Sequence, residues 1–314
     1  MSVTTTLEQR ADSSRAALVA AAELQGLDPS GAELIYDALN RVYRLPDAGA
    51  VGKVHLRGTL ADAQRRVRAA CALLAAGIPT AAPVGCLDEP VVVDGTVVSF
   101  TEDLGRRQPS PGQFGELLAR LHRIPPLTGI GLPHMDKIAR AAARIGRLGP
   151  EALTDRQRLL LRRRLAQAAD TYGRVNWSRP CTVHGDVGKN NFLLTKDRGT
   201  ALIDLESMSI GHPETDQAAP AWAVGAFGLD PSYYQQFAQG YGYDITTVDG
   251  GKPFAALVPI FGIMSCLSYL EVSRTRPDVR PEAELRLETI LSGTPQPWNW
   301  TVDPILAPTH ASTR

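Results

Sequence analysis

Cysteine is sparse and unpatterned: Cys71, Cys86, Cys181 and Cys266 lie far apart and form no CxxC pair. That spacing excludes a disulfide framework and a zinc ribbon, and it suits a reducing compartment. A surplus of one charge is missing too, since 33 Lys and Arg residues balance 33 Asp and Glu residues. General nucleic-acid binders carry a basic excess, so no nucleic-acid partner is expected. The N-terminal MSVTTTLEQRADSSRAALVAAA lacks the basic start and apolar core of a secretory signal. One uncharged run, Pro253 to Leu270, barely reaches the length of a membrane span. It contains Pro259, Gly262, Ser265 and Ser268, and Lys252 and Glu271 bound it closely, so it reads as a buried helix. The expectation is a cytoplasmic chain with no membrane partner. No internal repeat and no low-complexity tract is visible.

What is present suffices for one large domain or a two-lobed unit, at 314 residues. Leu7 to Leu24 is rich in helix formers. NRVYRL (40–45) and VGKVHL (51–56) flank Pro46, Asp47 and Gly49 and read as a β-hairpin. Over Ala61 to Ala76, residues Ala63, Val67, Ala70, Cys71 and Leu74 share one helical face, and Gly77 and Pro79 end the helix. Val91–Val93 and Thr96–Phe100 form a second hairpin around Asp94-Gly95, a strong two-residue turn signal. A polar stretch with Pro109, Ser110 and Pro111 follows as a hinge, and helical patterns at 112–123, 154–169, 233–240, near Ile260 and at 282–291 complete the chain. The organisation expected is therefore a β-rich unit over residues 1–104 and a mainly helical one over 105–314.

The chemistry concentrates between His184 and Asp204. The run HGDVGKNN (184–191) leads into Phe192-Leu193-Leu194; TKDRG (195–199) turns the chain, and Ala201-Leu202-Ile203 ends at Asp204. Two antiparallel strands would set Phe192 roughly opposite Ile203. Asn191 and Asp204 then emerge at one end, where an amide oxygen and a carboxylate suit a hard cation such as Mg2+. Asp186 lies on the loop leading there, within reach of a substrate hydroxyl. Phosphoryl transfer asks for such parts, because its transition state is mostly charge spread over oxygens. His184, Asp186 and Asn191 keep the spacing of the H-R-D-x-x-x-x-N loop of protein kinases, with Gly185 in place of the arginine.

These residues resemble the aminoglycoside phosphotransferase and choline kinase-like family, through H-G-D-x-x-x-x-N (His184 to Asn191) and I-D-x-E (Ile203 to Glu206). The stretch Gly211 to Ala218 and the pair Leu121-His122 match further family features. The resemblance implies an α+β, bilobal protein-kinase-like fold with ATP or GTP between the lobes. It implies Asp186 as the catalytic base or hydroxyl-orienting group, Asn191 and Asp204 as Mg2+ ligands, and Lys53 on the α- and β-phosphates. The linker Ser99, Phe100, Thr101, Glu102 and Asp103 would offer backbone groups to the purine, and Asn40 would help close the nucleotide-positioning loop. His184 reads as a structural loop histidine; His55, His122 and His134 show no metal-ligand spacing.

The helix ADAQRRVRAACALLAA contains no glutamate to pair with Lys53, and its only carboxylate is Asp62. Either Asp62 substitutes, another segment supplies the carboxylate, or Lys53 is placed differently. Lys189 either neutralises the γ-phosphate or points into solvent. For the acceptor, a balanced net charge favours a hydroxylated small molecule less cationic than an aminoglycoside, such as a nucleoside, macrolide-like or cyclic antibiotic. A cluster of Glu206, Glu214, Asp216 and Glu271 is the local acidic alternative, although Asp216 reads first as an anchor of a helix start or the catalytic loop. A primary-metabolite kinase (choline, homoserine or sugar type) and a nucleotide-binding pseudokinase are the rival readings, in a monomer or homodimer.

Overall fold

The computed structural model describes residues 3–37, 40–56, 58–87 and 89–301. Its first third is a five-stranded antiparallel sheet in the order β1-β2-β3-β5-β4. The strands are β1 (Glu33–Asp37), β2 (Arg41–Leu45), β3 (Ala50–His55), β4 (Val91–Val93) and β5 (Thr96–Glu102). Both anticipated hairpins form, and Asp94 and Gly95 each take positive φ, as a tight two-residue connection requires. Strand β1 was not anticipated, because ELIYD is too short for its alternation to stand out.

Helix α1 (Val3–Leu24) buries Leu18, Ala21 and Ala22 on one face of the sheet, against Tyr43, Leu45, Val54, Val98 and Phe100. Close approach there needs Gly52, where a Cβ would fall 2.5 Å from Leu18 Cδ1 and 2.9 Å from Phe100 Cε1. Helix α2 (Leu60–Ala75) starts at a capping box in which Thr59 and Asp62 exchange hydrogen bonds. Beyond it, Thr80 Oγ1 donates to Leu202 O at 2.8 Å and Leu202 N–H to Pro79 O at 2.9 Å, which fastens the connection after α2 to the second lobe.

That larger lobe is built from helices α3 (Pro111–Arg123), α4 (Lys137–Arg147), α5 (Asp155–Gly173), α6 (Glu214–Phe227), α7 (Pro231–Tyr241), α8 (Lys252–Val272) and α9 (Arg280–Ser292). Two pairs of short strands accompany them: β6 (Cys181–Val183) with β9 (Ser209–Gly211), and β7 (Phe192–Leu194) with β8 (Thr200–Leu202). One core gathers Phe114, Leu118, Phe192, Leu202 and Phe237 beneath β7 and β8. A second joins α4, α5, α8 and α9 through Ile145, Leu161, Leu267 and Leu287. The apolar run is α8, long and uncharged enough to cross a membrane by length and composition, yet Ile260, Ile263, Cys266 and Leu267 lie buried among the neighbouring helices. Helix α6 escaped the sequence pattern because it is buried on several sides and contains Pro220, so it shows little helical periodicity. The four thiols form no disulfide.

Candidate active site

Strand β6 delivers the chain into the loop of His184, Gly185 and Asp186. His184 is fully buried and serves as the hub of this loop. Its Nε2–H donates to Ile203 O at 2.9 Å, since a carbonyl can only accept, so Nδ1 is the acceptor for the Asp186 amide at 3.3 Å. Beneath it, Asp216 on α6 accepts from His184 N–H (2.6 Å), Gly185 N–H (2.8 Å) and His122 Nε2–H (3.1 Å). Burial pushes the Asp216 carboxyl up, but these donors and the nearby imidazoles outweigh it and hold the group below the usual range. Asp216 is 1% exposed and its carboxylate is spent on the loop and on His122, the anchoring place and not the acceptor contact of the two expected for it.

Gly185 has φ of +82°, and a Cβ there would collide with Ser207 O and lie 2.6 Å from Met135 Cε. Gly185→Ala is therefore expected to cost about 2–4 kcal/mol through left-handed strain plus overlap. Thermal melting beside a turnover assay would show both losses; a variant as stable and active as the parent would contradict this.

Strands β7 and β8 pair Phe192 with Leu202, not with Ile203. The turn is closed by Thr195 N–H on Gly199 O, leaving Lys196, Asp197 and Arg198 as the loop, and this closure sets a register one residue from the expected one. Asn191 then faces Ile203, whose N–H donates to Asn191 O at 2.9 Å, so Asn191 and Asp204 still leave the hairpin at one end. Asn191 Nδ2 donates to Asp186 O at 2.7 Å and reaches its Oδ2 at 3.3 Å, so Asp186 joins the same group. Asp204 adopts φ of +57° and ψ of +64°, a conformation uncommon for a residue with a side chain and typical of functional sites.

From the sheet, Lys53 reaches across to this group. Its Nζ lies 3.0 Å from Asp204 Oδ1 and 2.5 Å from Glu206 Oε1. Burial would lower the lysine, but the two carboxylates outweigh it and hold Lys53 above its ordinary range, while Lys53 in turn holds Asp204 below the carboxylate range despite burial. Asn40, buried at the start of β2, donates Nδ2 to Glu206 Oε1 at 2.8 Å. Glu206 thus faces the sheet lysine and Asn40. Asp62 is taken by Thr59 and Arg65, so it does not serve Lys53. His55, pushed down to about 3 chiefly by burial and also by Arg66, is neutral; it accepts from Arg66 at Nδ1 and donates to Ser99 Oγ at Nε2.

The expected linker 99–103 is largely the strand β5 itself. Ser99 stands opposite Lys53, and the Phe100 ring is buried in the sheet core. Thr101 pairs with Val51, Glu102 N–H donates to Ala82 O at 2.9 Å, and Asp103 N–H donates to Gly49 O at 2.9 Å. The Glu102 and Asp103 amides are thus used inside the protein. Lys189 is exposed on a single 3-10 turn, Lys189–Asn191. Glu271 is not brought into the group; it accepts from Arg144 on α4 at 2.9 Å.

The sequence reading missed Lys137, at the start of α4. Its Nζ donates to Gly185 O at 2.7 Å and lies 5.5 Å from the Phe261 ring centroid. Burial lowers its pKa, against the pull of Asp186 and Asp216. A single lysine after a loop carries no pattern that would have disclosed this.

A hard cation fits the donors present. Asn191 commits Nδ2 to Asp186, which leaves its Oδ1 as the atom able to bind a cation, and Asp204 supplies a carboxylate. Among the described residues no group of three His, Cys, Asp or Glu is placed to hold a metal. Two oxygen ligands match Mg2+, which commonly completes its shell with phosphate oxygens and water.

The model of the phosphotransferase enzyme family matches residues 32–254. Among solved structures, spectinomycin phosphotransferase in complex with ADP and spectinomycin is 13% identical over 88% of this chain and 95% of its own, with a TM-score of 0.61. A choline/ethanolamine kinase family protein from Mesorhizobium loti is 18% identical over 91% of this chain and 95% of its own, with a TM-score of 0.62. Macrolide 2'-phosphotransferase from Brachybacterium faecium is 18% identical over 86% of this chain and 97% of its own, with a TM-score of 0.55. No curated protein matches the sequence. At such identities the likeness speaks for the fold, a kinase-like α+β architecture with a small antiparallel sheet lobe and a mostly helical lobe.

Proposed function

The chain belongs to the phosphotransferase enzyme family, and from that premise we propose that it moves the γ-phosphate of ATP or GTP to a hydroxyl of a small molecule. The observation that carries this reading is the gathering of Asp186, Asn191, Asp204 and Lys53 at one junction between the lobes. Asp186 takes or orients the acceptor hydroxyl proton while the hydroxyl oxygen bonds to the γ-phosphorus and the nucleoside diphosphate leaves. Asn191 and Asp204 hold Mg2+, which when bound neutralises phosphate charge. Lys53 would contact the α- and β-phosphates, and Lys189, exposed on the same turn as Asn191, would be the cation available to the γ-phosphate.

For the acceptor we favour a hydroxylated antibiotic poorer in ammonium groups than an aminoglycoside. The chain's zero formal charge suits an acceptor that carries few ammonium groups. Structures of the same fold include proteins named for spectinomycin and for macrolides. The choline/ethanolamine kinase family likeness favours a metabolite acceptor as the second reading.

A nucleotide-consumption screen over antibiotics and hydroxylated metabolites, with mass spectrometry for a phosphate adduct, separates these readings. A clean metabolite product with none from any antibiotic would replace the first by the second; no transfer at all would leave a nucleotide-binding scaffold. Chelation by EDTA is expected to abolish transfer and added Mg2+ to restore it. Turnover persisting in excess chelator would refute the assignment of Asn191 and Asp204.

A further inference from the structure

A lysine that grips phosphates ends a flexible four-carbon stem, so something must aim it. Helix α2 offers no carboxylate for the purpose, since its only one, Asp62, is locked into the helix cap and paired with Arg65. Asp204 cannot serve alone, because the same carboxylate is assigned to the metal. Glu206 remains, with its Oε1 2.5 Å from Lys53 Nζ.

Glu206 is itself held from the sheet lobe. Asn40 donates to its Oε1 at 2.8 Å, and Arg66 Nη1 on α2 stands 3.9 Å from the same oxygen. Arg66 is fixed in turn by neutral His55 at 3.0 Å, and Glu206, Arg65 and Arg66 together line a pocket of about 300 Å3 between α2 and the segment after Asp204. The Asn40 side chain is buried and directed at Glu206, so this carboxylate is placed for an internal partner and not for an incoming acceptor.

We infer that Glu206 is the positioning residue for Lys53, supplying from the second lobe the carboxylate that α2 lacks. The inference rests on the phosphotransferase reading for its kinetic consequence, but its physical content, an ion pair that fixes Lys53, is independent of turnover. When Asp204 turns to the cation, Glu206 keeps the ammonium aimed at the phosphates.

The test is Glu206→Gln, which keeps the length of the side chain and its capacity to accept from Asn40 while removing the charge. Two measurements are made on the full chain. In the first, a double-mutant cycle of Glu206→Gln with Lys53→Met on the thermal midpoint is expected to be non-additive, as for two side chains that share one ion pair. In the second, kcat/KM for the nucleotide is expected to drop on the order of 10- to 100-fold, as for other residues that orient a functional group, with acceptor KM unchanged. An additive cycle overturns the inference. So does a change confined to acceptor KM, which would make Glu206 a substrate contact. If the parent transfers no phosphate to any acceptor, the phosphotransferase reading fails, and the double-mutant cycle still decides the ion pair.

Discussion

Asp186→Ala is expected to lower turnover by roughly 100- to 10,000-fold, the usual contribution of a positioned proton acceptor, with nucleotide affinity little changed. The carboxylate is exposed at the junction of the lobes and supports little of the fold. Its main-chain groups carry the structural duty: the amide donates to His184 Nδ1 and the carbonyl accepts from Asn191 Nδ2. The substitution keeps both and removes only the 3.3 Å contact from Asn191 to Oδ2. A melting curve close to the parent's, beside lost phosphate transfer in a steady-state assay, is the result expected. Unchanged turnover would mean that another group receives the hydroxyl proton.

Asp216→Ala should do the reverse, acting first on stability. The substitution strips one buried acceptor from three donors, two of them amides of the catalytic loop. Breaking a buried, charge-assisted network of this kind costs about 3–5 kcal/mol, and the loop loses its floor. The effect has a pH signature. The folded carboxyl is held below its ordinary 3.8, so the stabilisation it gives is complete above the unfolded value and fades as pH falls through the lower, folded one. The difference in unfolding free energy between parent and variant, from urea titrations, is expected to be flat above about pH 5 and to shrink on acidification. A difference that grew on acidification would contradict the assigned charge state.

Much of the sheet was legible because its turns are chemically explicit. Asp94-Gly95 leaves little choice of connection, and Pro46 with Gly49 marks the other. The end of the β7–β8 hairpin was legible for a different reason: strands of three residues leave Asn191 and Asp204 nowhere else to emerge, so a register error of one residue did not separate them. What stayed hidden depended on contacts between distant parts of the chain. Lys53 and Asp204 are 151 positions apart, and nothing in α2 reports that its missing glutamate is replaced from the other lobe. Asp216 shows the same limit, since whether a carboxylate faces solvent or three buried donors depends on how α6 packs beneath the loop.

The Lys53 contacts carry one more consequence. The lysine belongs to the sheet lobe and both carboxylates to the other, so the ion pair is a latch as well as an aiming device. Whatever draws Asp204 away from Lys53 weakens the latch, and whatever opens the lobes leaves Asp204 without its cationic neighbour. By reciprocity the two effects share one coupling free energy. Lobe opening and the affinity of Asp204 for a cation would therefore be linked: a cation held there would favour release of Lys53, and release of Lys53 would favour the cation to the same degree.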